Sequence, residues 1–335
     1  MTTSCRILAD ARWFGAHGIG RFARNVLARL PHCVQLHSGP RPLSLLDPLW
    51  LSYQIMTRRP SVFFSPGFNP PAVTTTPLVI TIHDLAHIRL PIFATRSRRL
   101  YYDLLVKPAS NRAYRVVTVS EYSRMEILRW TGLPNESVVN VGNGVDAIFQ
   151  PEGPKYEPGF PYVLYVGALR PHKNITRLFS AFDRINSPEL HLLLTGDKTR
   201  DMASQLAGRA IETRVQFLGC VKDQDLPALY RGAVFLILPS LIEGFGLPPL
   251  EAMACGTPVI VSRTTALPEV VGNAGLLVDP LDIDDIAAAM QRMLRDAGLR
   301  QNLRNAGLER ARLFCWDGVA EKVRFVVEEA ANALF

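Results

Sequence analysis

The sequence predicts an α/β protein made of two doubly wound parallel-sheet domains. Three observations carry this expectation. Short apolar runs of strand length alternate with helical stretches along the chain, which is the pattern of parallel strands covered on both faces. The 335 residues correspond to about two domains at roughly 150 residues each. A Pro- and Gly-rich stretch at residues 150–159 falls where a linker would divide them. We therefore expect a first domain over residues 1–150, a second over 151–315, and a closing helix over 316–335.

Composition narrows the class of protein. Hydrophobic residues make up 48% and charged residues 20%, enough apolar material for an ample core. No apolar run approaches the ~18 residues needed to cross a bilayer. The opening Met-Thr-Thr-Ser-Cys-Arg-Ile-Leu-Ala-Asp lacks a signal-peptide apolar region and runs straight into a strand. Cys5, Cys33, Cys220, Cys255 and Cys315 are scattered, so reduced core thiols of a cytoplasmic protein are expected, not a zinc site or a disulfide frame. The net charge of +7 is uneven: residues 1–155 hold 18 Lys and Arg against 9 Asp and Glu, whereas residues 156–335 hold 19 against 21. An acidic partner is expected for the first half. No helix-turn-helix, zinc or RNA-recognition pattern accompanies the charge, so nucleic acid is not expected. An anionic membrane surface or a phosphorylated acceptor fits better.

Residues 6–11 read as the first strand, ending in Asp10. Arg12-Trp-Phe-Gly-Ala-His-Gly-Ile-Gly-Arg follows, leading into a helix with Ile19, Phe22, Val26, Leu27 and Leu30 on one face. Gly18 and Gly20 would let backbone approach a ligand closely, and would equally serve a structural turn. This is no dinucleotide fingerprint, because the third glycine and the acidic residue closing a second strand are missing. Residues 60–66 and 77–82 read as buried strands, the second ending in Thr81-Ile-His83-Asp84. A histidine there lies at the strand edge where open α/β sheets bind ligands, or is simply a satisfied strand end. His87 has no such warrant. In residues 94–112, Arg96, Arg98, Arg99 and Lys107 accompany Tyr101 and Tyr102. Such a helix is either a solvated face or a contact with an anionic bilayer, and the charge of the whole half favours the bilayer. Residues 115–120 form the next strand, with Ser120 as N-cap of the helix behind it. Residues 138–141 form the last, closed by Gly142-Asn-Gly-Val-Asp146.

The second domain opens with a strand that terminates at Gly167, and Asn174 heads a helix carrying Leu178, Phe179 and Phe182. Arg170 and Lys173 stand just before that helix, where they could neutralise a diphosphate. Residues 190–195, 215–219 and 233–238 are further buried strands. Asp282-Ile-Asp-Asp285 looks like a metal-binding Asp-x-Asp, but it precedes a helix over 286–294, so capping and dipole stabilisation are expected. No catalytic metal and no cofactor are expected.

The most informative stretch lies between strand 233–238 and a strand at 259–261. It runs Ser240-Leu-Ile-Glu-Gly-Phe-Gly-Leu-Pro-Pro-Leu-Glu-Ala-Met-Ala-Cys-Gly-Thr-Pro. Two carboxylates, Glu243 and Glu251, bracket a glycine turn and a proline pair that fits a first helical turn. Gly256 and Pro258 end that helix. Glycines ahead of a helix N-terminus suit a phosphate, and the flanking acids suit hydroxyl groups on either side of it. A nucleotide sugar offers both. A plain βαβ turn with one solvated glutamate and one charge favourable to the helix dipole is the simpler account.

Glu243-Gly-Phe-Gly-Leu-Pro-Pro-Leu-Glu-Ala-Met-Ala-Cys-Gly-Thr-Pro-Val-Ile resembles the signature of the retaining GT-B glycosyltransferases of family GT4, whose two glutamates are seven residues apart as here. The resemblance is close in the C-terminal half and consists of shorter echoes in the N-terminal half. It implies two Rossmann-like domains facing a cleft, with the terminal helix crossing back onto the first. It implies catalytic roles for His83, Glu243 and Lys173, with Asp84 orienting His83. It also implies a donor site of Gly18, Gly20, Arg170, Lys173, Glu243, Gly244, Phe245, Gly246, Leu247 and Glu251. Within that site, Glu243 would hold hexose hydroxyls and Glu251 the ribose diol. The family's Arg directly after Gly167 is replaced by Ala168, for which Arg170 would compensate. The segments Gly196-Asp-Lys and Phe217-Leu-Gly would cradle the base. Arg21, Arg96, Arg98, Arg99, Tyr101 and Tyr102 would face the acceptor or a membrane.

With Asp10-Ala-Arg and Gly-Ile-Gly-Arg, the chain resembles bacterial mannosyltransferases of polysaccharide assembly. That implies GDP-mannose as donor and a lipid-diphosphate-linked glycan as acceptor, at the cytoplasmic face of the plasma membrane. The alternatives are a UDP- or dTDP-sugar donor, and a non-catalytic membrane-associated scaffold of the same fold.

Overall fold

The computed structural model describes residues 7–15, 17–89 and 96–333. Cys5, Arg6, Ala16 and residues 94–95, on which some sequence expectations fall, lie outside the described residues. The chain forms two compact units, residues 1–144 with 315–335, and residues 145–314.

In the first unit a six-stranded parallel sheet has the order β2-β1-β3-β4-β5-β6. Its strands are β1 (Ile7–Asp10), β2 (Cys33–Leu36), β3 (Val62–Ser65), β4 (Leu78–Thr81), β5 (Arg115–Thr118) and β6 (Val138–Asn140). The helices are α1 (Gly18–Leu27), α2 (Asp47–Arg58), α3 (Ala86–Arg89), α4 (Arg96–Tyr101), α5 (Lys107–Arg112) and α6 (Glu121–Thr131). Every residue of β1, β3 and β4 is buried, as parallel strands covered on both faces require. Ser120 caps α6 by accepting the N–H of Ser123. The final helix of the chain, Trp316–Asn332, also belongs here. Its Val319, Val323, Val326, Val327 and Ala330 are buried at helical spacing against α1, β3, β4 and β5.

Helices α4 and α5 are one continuous stretch joined by a π-helical turn over Tyr102–Val106, in which the Lys107 N–H reaches the Tyr102 carbonyl. Pro108 accounts for the wide turn: it lacks an N–H, and its ring crowds the preceding carbonyl ladder. Tyr102 is buried, stacked on Phe68 at 5.4 Å and edge-on to Trp130 at 5.9 Å. The expectation that Tyr102 faces a membrane or acceptor is therefore corrected, because its ring belongs to the hydrophobic core. Tyr101 is half-buried beside it, and Arg96, Arg98 and Arg99 are exposed.

In the second unit the sheet order is β12-β11-β10-β7-β8-β9, again all parallel. The strands are β7 (Tyr162–Tyr165), β8 (His191–Leu194), β9 (Val215–Phe217), β10 (Phe235–Leu238), β11 (Val259–Ser262) and β12 (Gly275–Val278). Around them lie α7 (Ile175–Asp183), α8 (Arg200–Leu206), α9 (Leu226–Gly232), α10 (Leu247–Ala254), α11 (Leu267–Val271), α12 (Ile283–Arg295) and α13 (Ala297–Ala311). The boundary falls at Gly144 and Val145, earlier than the expected linker at 150–159. That proline-rich segment is fastened to the second unit. Tyr156 donates its N–H to Ala228, and Arg231 donates to the carbonyls of Gln150 and Pro154. Asp282 caps α12 through the N–H groups of Asp284 and Asp285.

Candidate functional site

Ligands of doubly wound sheets gather at the C-terminal strand ends where the strand order reverses. In the second sheet this point lies between β7 and β10, because the chain proceeds from β7 to β8 and β9 on one side and then returns to β10 on the other. The loops leaving β7 and β10 carry Arg170, Lys173, Glu243 and the Gly244–Gly246 turn. Topology alone therefore brings together residues 70 apart in sequence.

The two loops are tied to each other. Lys173 Nζ lies 2.6 Å from Glu243 Oε1, with both side chains largely shielded from solvent. Leu241 donates its N–H to the His172 carbonyl at 2.8 Å. The firmest tie is Asn174, which is buried and sits in the left-handed region at φ 63°. Its side-chain amide donates to the carbonyls of Pro239, at 3.0 Å, and Pro280, at 2.6 Å. Asparagine tolerates that backbone better than most residues, so its side chain can pin the turn that presents Lys173. On the other side, the Glu243 N–H is held by the hydroxyl of Thr265 at 3.2 Å. Thr265 is itself at φ 61°, a costly conformation for a β-branched residue. Neighbouring Tyr165 is fully buried. Burial, with the charge of Glu243 adding to it, raises its phenol well above the ordinary range.

Behind Glu243 the chain turns through Gly246, at φ 110° and ψ 63°, into α10. Pro248 and Pro249 occupy the first helical turn and contribute no N–H. The donors that this helix end offers an anion are thus the N–H groups of Phe245, Gly246 and Leu247. Phe245 is buried edge-on against Phe314 at 5.9 Å. Glu251 lies deeper, 2% exposed, and accepts a hydrogen bond from the Tyr230 hydroxyl at 2.7 Å. Arg170 is exposed, as is Ala168. The two segments expected to cradle a base do meet: Gly196 donates its N–H to the Gly219 carbonyl at 2.7 Å, and Lys198 Nζ lies 5.9 Å from the centre of the Phe217 ring.

The first unit assembles its own constellation, where its strand order reverses between β1 and β3. His83 follows β4 and is buried. Its Nε2 is 2.9 Å from the Pro66 carbonyl. A carbonyl only accepts, so Nε2 carries the proton. Burial lowers the His83 pKa, with the partner carbonyl and Asp84 opposing and His17 assisting. The neutral ring therefore presents Nδ1 as its acceptor. Asp84 does not orient the ring by hydrogen bonding as expected. Its Oδ1 takes the N–H of Ala86, and the orienting acceptor is Pro66.

Phe22 of α1 packs edge-on to His83 at 5.0 Å. Gly18 begins α1, whose cap is His17, through Nδ1 accepting the Gly20 N–H at 3.0 Å. Arg21 is buried in the same turn. A Cβ on Gly20 would sit 2.3 Å from the Gly15 carbonyl oxygen, so close backbone packing demands this glycine. The sequence gives little sign of this role for His17, because a ring nitrogen is an uncommon cap.

The fold also shows what Arg12 and Asn69 hold together. Arg12 forms ion pairs with Asp10 at 2.6 Å and Asp47 at 2.7 Å. Asn69 donates to both of those acids and accepts the indole N–H of Trp13. This buried network fastens the exits of β1 and β3.

The comparisons with known proteins agree with this geometry. Residues 148–310 match the model of glycosyl transferases group 1, and residues 10–148 match that of Glycosyltransferase Family 4. The O-antigen chain mannosyltransferase B of Escherichia coli is 34% identical over 291 residues, covering 82% of this chain and 75% of that protein. The chain belongs to glycosyltransferase family 4. The MMP alpha-(1->4)-mannosyltransferase of Mycolicibacterium hassiacum is 32% identical over 271 residues, covering 76% of this glycosyltransferase and 66% of the relative. Among solved structures, sucrose-phosphate synthase of Thermosynechococcus elongatus superposes with a TM-score of 0.80 at 22% identity, over 98% of this chain and 100% of that one. HepE of Anabaena, in complex with UDP and glucose, gives 0.76 at 18% identity, over 97% and 100%. At these identities the structures speak for the fold alone, and the fold is the two-sheet GT-B architecture that the sequence predicts.

Proposed function

We propose that this glycosyltransferase transfers mannose from GDP-mannose, with retention of configuration and without a metal ion, to a lipid-diphosphate-linked glycan in polysaccharide assembly. The observation that carries the donor site is the Lys173–Glu243 ion pair at the N-terminal end of α10. A diphosphate arriving beside it exchanges one anion for another at Lys173, and the N–H groups of Phe245, Gly246 and Leu247 take up the leaving charge. Glu243, released from the ammonium, accepts hexose hydroxyls. Glu251, oriented by Tyr230, accepts from the ribose diol, and the contact between Lys198 and Phe217 marks the base side. Arg170 adds charge where the family's usual arginine is replaced by Ala168.

Neither glutamate is assigned as a nucleophile. The departing phosphate itself takes the acceptor proton on the face that it leaves, which preserves the anomeric configuration. His83 enters through the family motif, with Nδ1 as the atom that accepts from the sugar or the acceptor. Mannose is favoured by the mannosyltransferases among the relatives. The test is transfer from GDP-mannose to a synthetic lipid-diphosphate disaccharide in excess chelator, with the product's anomeric proton read by NMR. An α-linked product formed at undiminished rate is expected. A β-linked product, or activity abolished by the chelator and restored by a divalent cation, would contradict the reading.

A further inference from the structure

Helix α2 is apolar on two opposite sides. Pro48, Leu51 and Ile55 are buried, as a surface helix requires of its core face. On the far side, Leu46, Leu49, Tyr53 and Met56 recur at intervals of three and four and form one stripe. They are 66%, 62%, 57% and 69% exposed, with Leu45 beside them at 96%. Charged residues are the rule on such a face, yet the stripe contains none.

Its two ends are basic, and the sequence around it is poor in acids. From residue 11 to residue 83 the sequence has seven arginines and a single acid, Asp47. Asp47 is fully buried and ion-paired with Arg12, so this stretch exposes no carboxylate. Arg41 stands in the turn that leads into α2, and Arg58 and Arg59 close its other end; all three are exposed. An apolar stripe with a cationic rim and a tyrosine within it matches the boundary between lipid headgroups and acyl chains. None of the helices among the described residues is long and apolar enough to cross a membrane, so the helix would lie in the interface plane. A two-fold contact between copies of this chain would instead set arginine rim against arginine rim.

We propose that the outward stripe of α2 (Leu46, Leu49, Tyr53 and Met56) inserts into an anionic bilayer, with Arg41, Arg58 and Arg59 on the headgroups. This deepens the reading of the acceptor as lipid-linked and rests on it for its purpose, but is tested without acceptor. The full chain is co-sedimented with vesicles of phosphatidylglycerol and phosphatidylethanolamine, and with vesicles of phosphatidylcholine alone, at low and high salt. Wild type is expected to pellet with the anionic vesicles only, and less so at high salt. Combined Leu49→Ser and Met56→Ser is expected to lower its partitioning about tenfold or more. GDP binding by calorimetry and the melting temperature should stay at wild-type values. The inference is overturned if that variant pellets like wild type while charge reversal at Arg96, Arg98 and Arg99 abolishes binding. It is equally overturned if the variant loses a dimer in sedimentation velocity with vesicle binding unchanged. If GDP binds neither protein but the stripe variant still leaves the vesicles, the surface stands and the donor assignment fails.

Discussion

Lys173, Glu243 and Asn174 work as one unit, and substitutions should separate their parts. On the proposed reading, Lys173→Ala removes the cation that meets the diphosphate, and Glu243→Ala the acceptor of hexose hydroxyls. Each should lower transfer at least about 100-fold, as loss of a preorganised charge partner does. Transfer that survives both changes would refute the mechanism. Asn174 touches neither substrate in this account and acts through Lys173. Asn174→Ala leaves the Pro239 and Pro280 carbonyls without their donor and should cost about 2 kcal/mol in denaturant unfolding. The KM for donor should rise more than kcat falls. Asn174→Gly suits φ 63° but supplies no amide, so it should recover part of the stability and none of the KM.

The pH dependence of stability follows from His83, which is buried, and from His17, the exposed but partly desolvated cap of α1. Burial lowers the pKa of both His17 and His83, so the unfolded chain binds protons there before the folded one does. Their contribution is fully present above about 6.5, the ordinary histidine value. It is lost as pH falls through the lower folded values. His83→Gln should flatten the acid side of a melting-temperature profile, and an unchanged profile would contradict the neutral assignment.

At the scale of elements, the sequence shows plainly the continuous apolar runs of the sheet interiors, and it also shows the edge strands β6 and β9. The two it leaves unread, β2 and β12, are edges of their sheets. Each has a mixed burial pattern with a single fully buried residue; β2 interrupts its apolar residues with Gln35, and the apolar run of β12 is only Leu276, Leu277 and Val278. Helix α2 is unread for a related reason: apolar residues on two opposite faces blur the one-sided periodicity that signals an amphipathic helix. The Glu243–Pro258 stretch is legible because its chemistry is local. Its partner, Lys173, could be placed only by position, since the ion pair depends on β7 and β10 lying side by side. Gly246 tests the entry to α10. Its φ of 110° disfavours any L-residue, and a Cβ would lie 2.6 Å from Leu267 Cδ2. Gly246→Ala should cost about 1–3 kcal/mol in stability and weaken donor binding, which thermal unfolding with and without nucleotide would show.

For the whole molecule, the sequence indicates two α/β units and a terminal helix, and the compact units divide at Gly144 and Val145, a few residues before the expected boundary at 150. The proline-rich segment looks like a linker by composition, yet its carbonyls are acceptors for Arg231. The charge asymmetry is real and gathers on the first unit, where the α2 stripe lies. The expectation for Tyr102 fails because a tyrosine inside a helical run gives no sign by itself of which way it turns. The terminal helix buries its valines in the first unit. Truncation after Phe314 should therefore unfold that unit while leaving residues 145–314 folded, as amide exchange would reveal.

In the proposed function, the Lys173–Glu243 pair at the start of α10 is the diphosphate end of a nucleotide-sugar site. Calorimetric titration of wild type and Lys173→Ala with GDP, UDP and dTDP tests it most directly. GDP is expected to bind wild type in preference to the other two, and Lys173→Ala to weaken it about tenfold or more. Tight UDP binding with no GDP binding would contradict the mannose assignment, and equal GDP affinity in the two proteins would contradict the site itself.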